Sequence, residues 1–232
     1  MPGSPTCKAR RKKRPPPCRP MSANLQFPLT LDYVRTAPIS ALSAALTKWL
    51  AQTNPVCLLH PHGFYVVLLE RNELEEWRFH FWPRGPRAVT GMPAFIHTHD
   101  RHVESRVLQG QLTNTLSEVA EVPSGGRPLY EVGYDGDRHA SETSNVLRHT
   151  GTRVSSAILC HNTVQRGNTY HVELHAYHEV TVPNHVATST LVCMHGRAPG
   201  AVMVVGLDGY PETIAFKRTE RRADDFLVQL ST

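Results

Sequence analysis

Phe95-Ile-His-Thr-His-Asp-Arg-His-Val-Glu-Ser-Arg-Val-Leu-Gln-Gly110 is the stretch on which the reading of this chain turns. It has the β-branched and apolar content of extended chain and ends on a glycine. On a strand, residues two apart project to the same face, so His97 and His99 point together into whatever that face encloses. Two neutral imidazoles held side by side are half of a site for zinc, iron, copper, nickel or manganese. The chain holds 14 histidines, so an isolated His-x-His carries little weight. The spacing of the residues around it carries more.

That spacing resembles the first motif of the cupin superfamily: His-x-His, three or four residues, Glu, six residues, Gly. Gly110 fits the terminal glycine, but six intervening residues put Val103 at the glutamate position, one residue before Glu104. In a regular strand Glu104 then faces away from the histidines, unless a bulge re-aims it. The thiol dioxygenases related to cysteine dioxygenase lack that glutamate and hold iron with three histidines. A second segment supplies the third. Ten residues separate Gly167 from His178, as in the second cupin motif, with Glu173 where proline is usual and His175 where a second glycine is usual. A turn that needs positive φ there would strain His175. The resemblance implies His97, His99 and His178 as metal ligands, with Glu104 the candidate fourth, and Fe(II) as the metal ahead of Zn, Ni or Mn.

A further layer lies in Tyr65, Trp77-Arg-Phe-His-Phe-Trp82 and Val107-Leu-Gln-Gly110, which look like the corresponding half of cysteine dioxygenase. Two departures count against cysteine as the substrate. Val67 stands where that family has a carboxylate-clamping arginine, and Thr188–Met194 lacks its Ser-His-Tyr alternation. Without a bidentate clamp a carboxylate loses positioning and charge neutralisation. The candidate substrate contacts are His80, which shares a strand face with Arg78 and Trp82; Tyr65; and His62, in the turn His60-Pro61-His62-Gly63. Arg106 is expected on the outer face, and His102, His171 and His175 in solvent.

Apolar runs punctuated by Gly, Pro and Asn give thirteen strand candidates, at Val56–Leu59, Phe64–Leu69, Trp77–Trp82, Ala94–His97, Val103–Leu108, Gln111–Val122, Leu129–Tyr134, Arg153–Leu159, Thr169–Leu174, Glu179–Val182, Ser189–Met194, Ala201–Val205 and Ile214–Arg218. Ile39–Leu50 carries a helical stripe of Leu42, Ala45, Leu46, Trp49 and Leu50 that would cap one end of a barrel. Residues 135–152 read as an inserted loop or short helix, and Arg221–Leu230 as a terminal helix. The expected fold is all-β, and the resemblance implies a cupin double-stranded β-helix, or jelly-roll barrel, over residues 25–232 with a few flanking helices.

The formal charge of +5 is misleading, because seven cationic residues lie among the first 20, with no acidic residue. Without them the remainder is slightly acidic, so nucleic acid is not an expected partner. Residues 1–24, basic and rich in Pro and Arg, cannot form a packed core and are expected to be disordered. Met21 offers an alternative start. No apolar run reaches the roughly 18 residues of a membrane span, and no apolar region follows the charged stretch as in a secretory signal. A soluble cytoplasmic protein is expected. Cys57, Cys160 and Cys193 lie in apolar runs without a close partner and read as buried reduced thiols. Glycine-rich nucleotide loops and the Gly-x-Ser-x-Gly elbow are absent.

These readings converge on a mononuclear cupin metalloenzyme, a non-haem Fe(II) oxygenase or dioxygenase using dioxygen on a small molecule. A non-redox isomerase or cyclase and a non-catalytic binding cupin are the alternatives. Pairing through edge strands into a homodimer is a further expectation.

Overall fold

A computed structural model describes residues 25–87 and 95–230. The basic stretch 1–24 and Ala94, the start of one strand candidate, lie outside the described residues. Of the described residues half are strand and 14% helix, so the fold is all-β.

Two short helices open the described chain, α1 (Leu31–Thr36) and α2 (Ile39–Thr53). The strands follow in order: β1 (Val56–Leu59), β2 (Tyr65–Arg71), β3 (Glu75–Trp82), β4 (His102–Gln109), β5 (Gln111–Val122), β6 (Arg127–Asp135), β7 (Ser144–Gln165), β8 (Thr169–Val172), β9 (Tyr177–Thr181), β10 (Thr188–His195), β11 (Val202–Val205), β12 (Thr213–Lys217) and β13 (Thr219–Arg222). A 3-10 turn (Ala223–Asp225) and α3 (Leu227–Leu230) end it. The strands form two antiparallel sheets. One runs β13-β1-β2-β3-β10-β4-β8, the other β11-β6-β7-β5-β9 with β12 also paired to β7. The sheets face each other: Val103, Val107, Val192 and Met194 of the first share a buried cluster with Leu112 and Val164 of the second.

The strongest apolar packing lies outside this sandwich. Leu42, Leu46 and Leu50, one turn apart along α2, are buried in the same cluster as Trp77, Phe79 and Phe81 of β3. Burying each such side chain is worth about 1.5–3 kcal/mol, enough to seat a helix across the sheet. The helix therefore covers the outer face of the seven-stranded sheet; it does not cap a barrel end. The alternate residues of β3, Arg78, His80 and Trp82, turn inward to line the space between the sheets. Period two thus sorts one strand into an apolar outer row and a polar inner row.

Several boundaries differ from the sequence reading. Residues 144–152 are the first part of β7, leaving only 136–143 as the connection, because this stretch pairs with β6 and β12 along its length. Thr219–Arg222 is a strand against β1, so the terminal helix shrinks to Leu227–Leu230. α1 was missed. Thr30 caps it by accepting from Tyr33 N at 3.3 Å, and Arg106 closes its other end by donating to the carbonyls of Val34 and Ala37. Arg106 does face outward, but under α1 and buried. Cys57 and Cys193 are buried free thiols, pushed up to about 12 by burial; Cys160 is free but exposed, on a stretch of β7 that also exposes Ile158 and Leu159. No helix among the described residues is long and apolar enough to cross a membrane.

Candidate metal centre

His97 sits in extended chain between two strands of the second sheet. Its backbone exchanges hydrogen bonds with His178 of β9 (3.0 and 2.9 Å), while Thr98 N donates to Met203 O at 2.9 Å. The segment is a one-residue bridge to each neighbour, to His178 and to Val204, and falls short of the strand expected over Ala94–His97. Its side chains still alternate. Thr98 is buried and accepts from Met203 N through its hydroxyl, while His97 and His99 turn to the other side with ring centroids 4.8 Å apart. The backbone pairing with β9 brings His178 to the same point, 4.7 Å from the His97 ring and 5.0 Å from that of His99.

One nitrogen from each of the three rings lies within 4.8 Å of the others. His99 Nε2 and His178 Nε2 are 2.9 Å apart. Two nitrogens each about 2.0–2.1 Å from a common ion, at right-angled to tetrahedral geometry, are about 2.9–3.4 Å apart. Two of the rings are oriented through their other nitrogen. His97 Nδ1 donates to Phe95 O at 2.7 Å and His178 Nδ1 to Asn114 Oδ1 at 2.8 Å, which leaves both Nε2 lone pairs facing the shared point. Burial lowers the pKa of all three histidines, most for His99 and His178, so the rings are neutral, as a ligand must be. On donor type and protonation the three residues, and on tautomer His97 and His178, fit a divalent transition metal.

The other expected site residues divide. Glu104 stands on the opposite side of β4, where its carboxylate accepts from Arg35 Nε at 2.6 Å and Nη2 at 2.5 Å, beside α1. There is no bulge between β4 and β8 to re-aim it, and Val103 is the residue that lines the cavity with the histidines. His62 belongs to the site, its ring 5.0 Å from that of His97. His80 lines the same cavity, and its Nε2 is buried without a hydrogen-bond partner. Tyr65 is turned the other way: its ring packs on Phe226 at 5.2 Å and Phe81 at 6.4 Å in the helix-side cluster. The parity of β2 explains this, since Tyr65 shares its face with Val67 and Leu69.

Sequence reasoning passed over Asn114, Glu76, Arg138 and Arg218. Asn114 had a visible signal, being the one polar residue in the row Leu112, Asn114, Leu116 of β5. Glu76 is fully buried, with Arg78 on one carboxylate oxygen and Arg138 Nη2 2.7 Å from the other. Arg138, on the connection after β6, and Arg218, between β12 and β13, join Arg78 in the wall of a cavity of about 100 Å³ beside His97 and His99.

A second histidine group lies on the Glu104 side of the sheet. His102 Nδ1 is 3.0 Å and His171 Nδ1 3.3 Å from the exposed Glu173 carboxylate. His175, in the turn before β9, has φ +58, so the turn does take the left-handed conformation that would strain a non-glycine residue there. No protein-family model matches the chain, and no curated protein sequence matches it.

Proposed function

We propose that this chain is a cupin-type jelly-roll metalloprotein and that it acts as a mononuclear non-haem Fe(II) oxygenase on a small molecule. The observation that carries the reading is the convergence of three neutral imidazoles, His97, His99 and His178, at one end of a cavity between two antiparallel sheets. Ferrous iron bound there would supply the redox chemistry, with coordination positions left for dioxygen and substrate. The protein's own part is to hold the donor set: Phe95 O and Asn114 orient two of the rings, and His62, Val103 and Tyr170 wall the cavity. The ion pair of Glu104 with Arg35 supports leaving it out of the proposed donor set.

Metal analysis of the purified chain, followed by oxygen uptake with small-molecule candidates, tests both halves. One equivalent of iron is expected to depend on each histidine, since a three-ligand site has no spare donor. His97→Ala, His99→Ala and His178→Ala should each lose it, while His171→Ala, in the second group, should keep it. Full occupancy in His178→Ala would refute the donor set. Tight zinc with no oxygen uptake would refute the oxygenase.

A further inference from the structure

The cavity beside His97 and His99 carries an excess of positive charge that the protein does not neutralise. Five guanidinium groups, those of Arg78, Arg101, Arg138, Arg197 and Arg218, surround it and the wider depression that continues from it past Asp100, Tyr134 and Arg138. Four carboxylates line the same space, Glu76 and Asp100 among these arginines and Glu73 and Asp137 in the depression. Glu76 is occupied by Arg78, Arg138 and His139, with Arg101 3.7 Å away. Asp100 is 3.2 Å from Arg197 and 3.9 Å from Arg138. Arg71 also borders the depression but is held by Asp137 at 3.0 Å.

Arg218 is left over. Its side chain makes no hydrogen bond or ion pair among the described residues, and its Nε is buried without a partner. A buried donor left unmade is costly and rare, and an arginine fork is shaped for two acceptor oxygens. Val132, Leu147, Met194, Val204 and Phe216 make much of the remaining wall apolar, with Tyr134, Asn145, His60 and His62 its polar members. Burial lowers the pKa of Arg218 relative to a free guanidinium, which leaves it a cation in a poorly solvated place.

We propose that this cavity takes a small organic acid, a carboxylate on a mainly apolar body, and that Arg218 clamps the carboxylate. The inference rests on the metal-site reading only in making that acid the substrate; binding of the anion follows from the arginines alone. The basic depression outside would draw such an anion toward the histidines.

The probe is 4-fluorobenzoate, titrated against the full chain and followed by fluorine NMR, with 4-fluorobenzamide as its neutral counterpart. The acid should bind at least about 10-fold tighter than the amide, and Arg218→Gln should weaken it by about 10- to 100-fold, the worth of a charged hydrogen bond. Arg218→Lys, which keeps the charge and loses the fork, should fall between. The full chain stripped of metal by a chelator should still bind the acid, so failure of the metal reading and failure of the anion reading are separately visible. Equal binding of acid and amide by the unaltered chain, or unaltered acid affinity in a folded Arg218→Gln, would overturn the proposal. The acid-against-amide comparison needs no variant, so it decides the matter even if Arg218→Gln fails to fold.

Discussion

Replacing Glu76 by Gln tests the charged lining between the sheets more directly than any change at the histidines. The carboxylate is fully buried, paired with Arg78 and Arg138 and 3.0 Å from His139 Nε2. The amide keeps the size and removes the charge, which leaves two guanidiniums, with side chains only 12% and 17% exposed, facing each other, Arg78 without its carboxylate and Arg138 with only Asp100 at 3.9 Å. Breaking a buried pair costs about 3–5 kcal/mol. The lower end applies here, because Arg138 borders an open depression into which it can turn. About 3 kcal/mol corresponds to a urea midpoint lower by about 1–1.5 M, or a melting temperature lower by about 6–12 °C for a chain of this size. The pH dependence supplies a second check. Burial by itself would raise the Glu76 pKa, but His139, Arg78 and Arg138 outweigh it and hold the carboxyl well below its usual range. A depressed folded-state pKa adds stability that is fully present above the unfolded value of about 4.3 and is lost as pH falls toward the folded one. The gap between parent and variant should therefore be widest near pH 7 and narrow steadily below about pH 4. A midpoint at pH 7 within about 0.2 M of the parent, or a gap that stays constant down to pH 3, would refute this account of the network.

Three further outcomes are expected. Glu104→Gln should leave metal affinity within about 10-fold of the parent by competition titration, the lower bound for residues that support ligands, whereas Val103→Glu, which places a carboxylate among the histidines, should raise it; a collapse of binding in Glu104→Gln would restore the glutamate to the donor set. Asn114→Leu should lower metal affinity by about 10- to 100-fold with little change in melting, because it frees the His178 ring without opening a void. Gly110→Ala should lower stability by at least about 1–2 kcal/mol in urea titration, since Gly110 has φ +69 and a Cβ there would lie 2.5 Å from Thr188 Oγ1 and 2.6 Å from Ala187 O.

Where side-chain period two governs, the sequence was legible. The spacing puts Glu104 on the far side of a regular strand while leaving it the candidate fourth ligand if a bulge intervenes, and on the far side it pairs with Arg35. The grouping of His80 with Arg78 and Trp82 follows from the same alternation. His175 stands where a glycine is usual, a place that strains a side chain only if the turn needs positive φ, and its φ is +58. Tyr65, a substrate contact by resemblance alone, has the parity of Val67 and Leu69 and packs with them in the helix-side cluster.

By itself, then, the sequence determined an all-β chain with two histidines on one side of an extended segment and a third at a fixed distance along the chain. These follow from local rules, the alternation of a strand and the conformational needs of a turn, which act over a few residues. Tertiary structure alone decided that the apolar row of β3 faces a helix layer while its polar row lines the space between the sheets. It also decided that Asn114 meets His178, and that Arg138 and Arg218 arrive beside Arg78. Those residues come from strands and connections far apart in the chain, and their meeting depends on which strands pair and in what register. Pairing of that kind is fixed by burial and hydrogen bonding across the whole sheet, so no short window of sequence carries it.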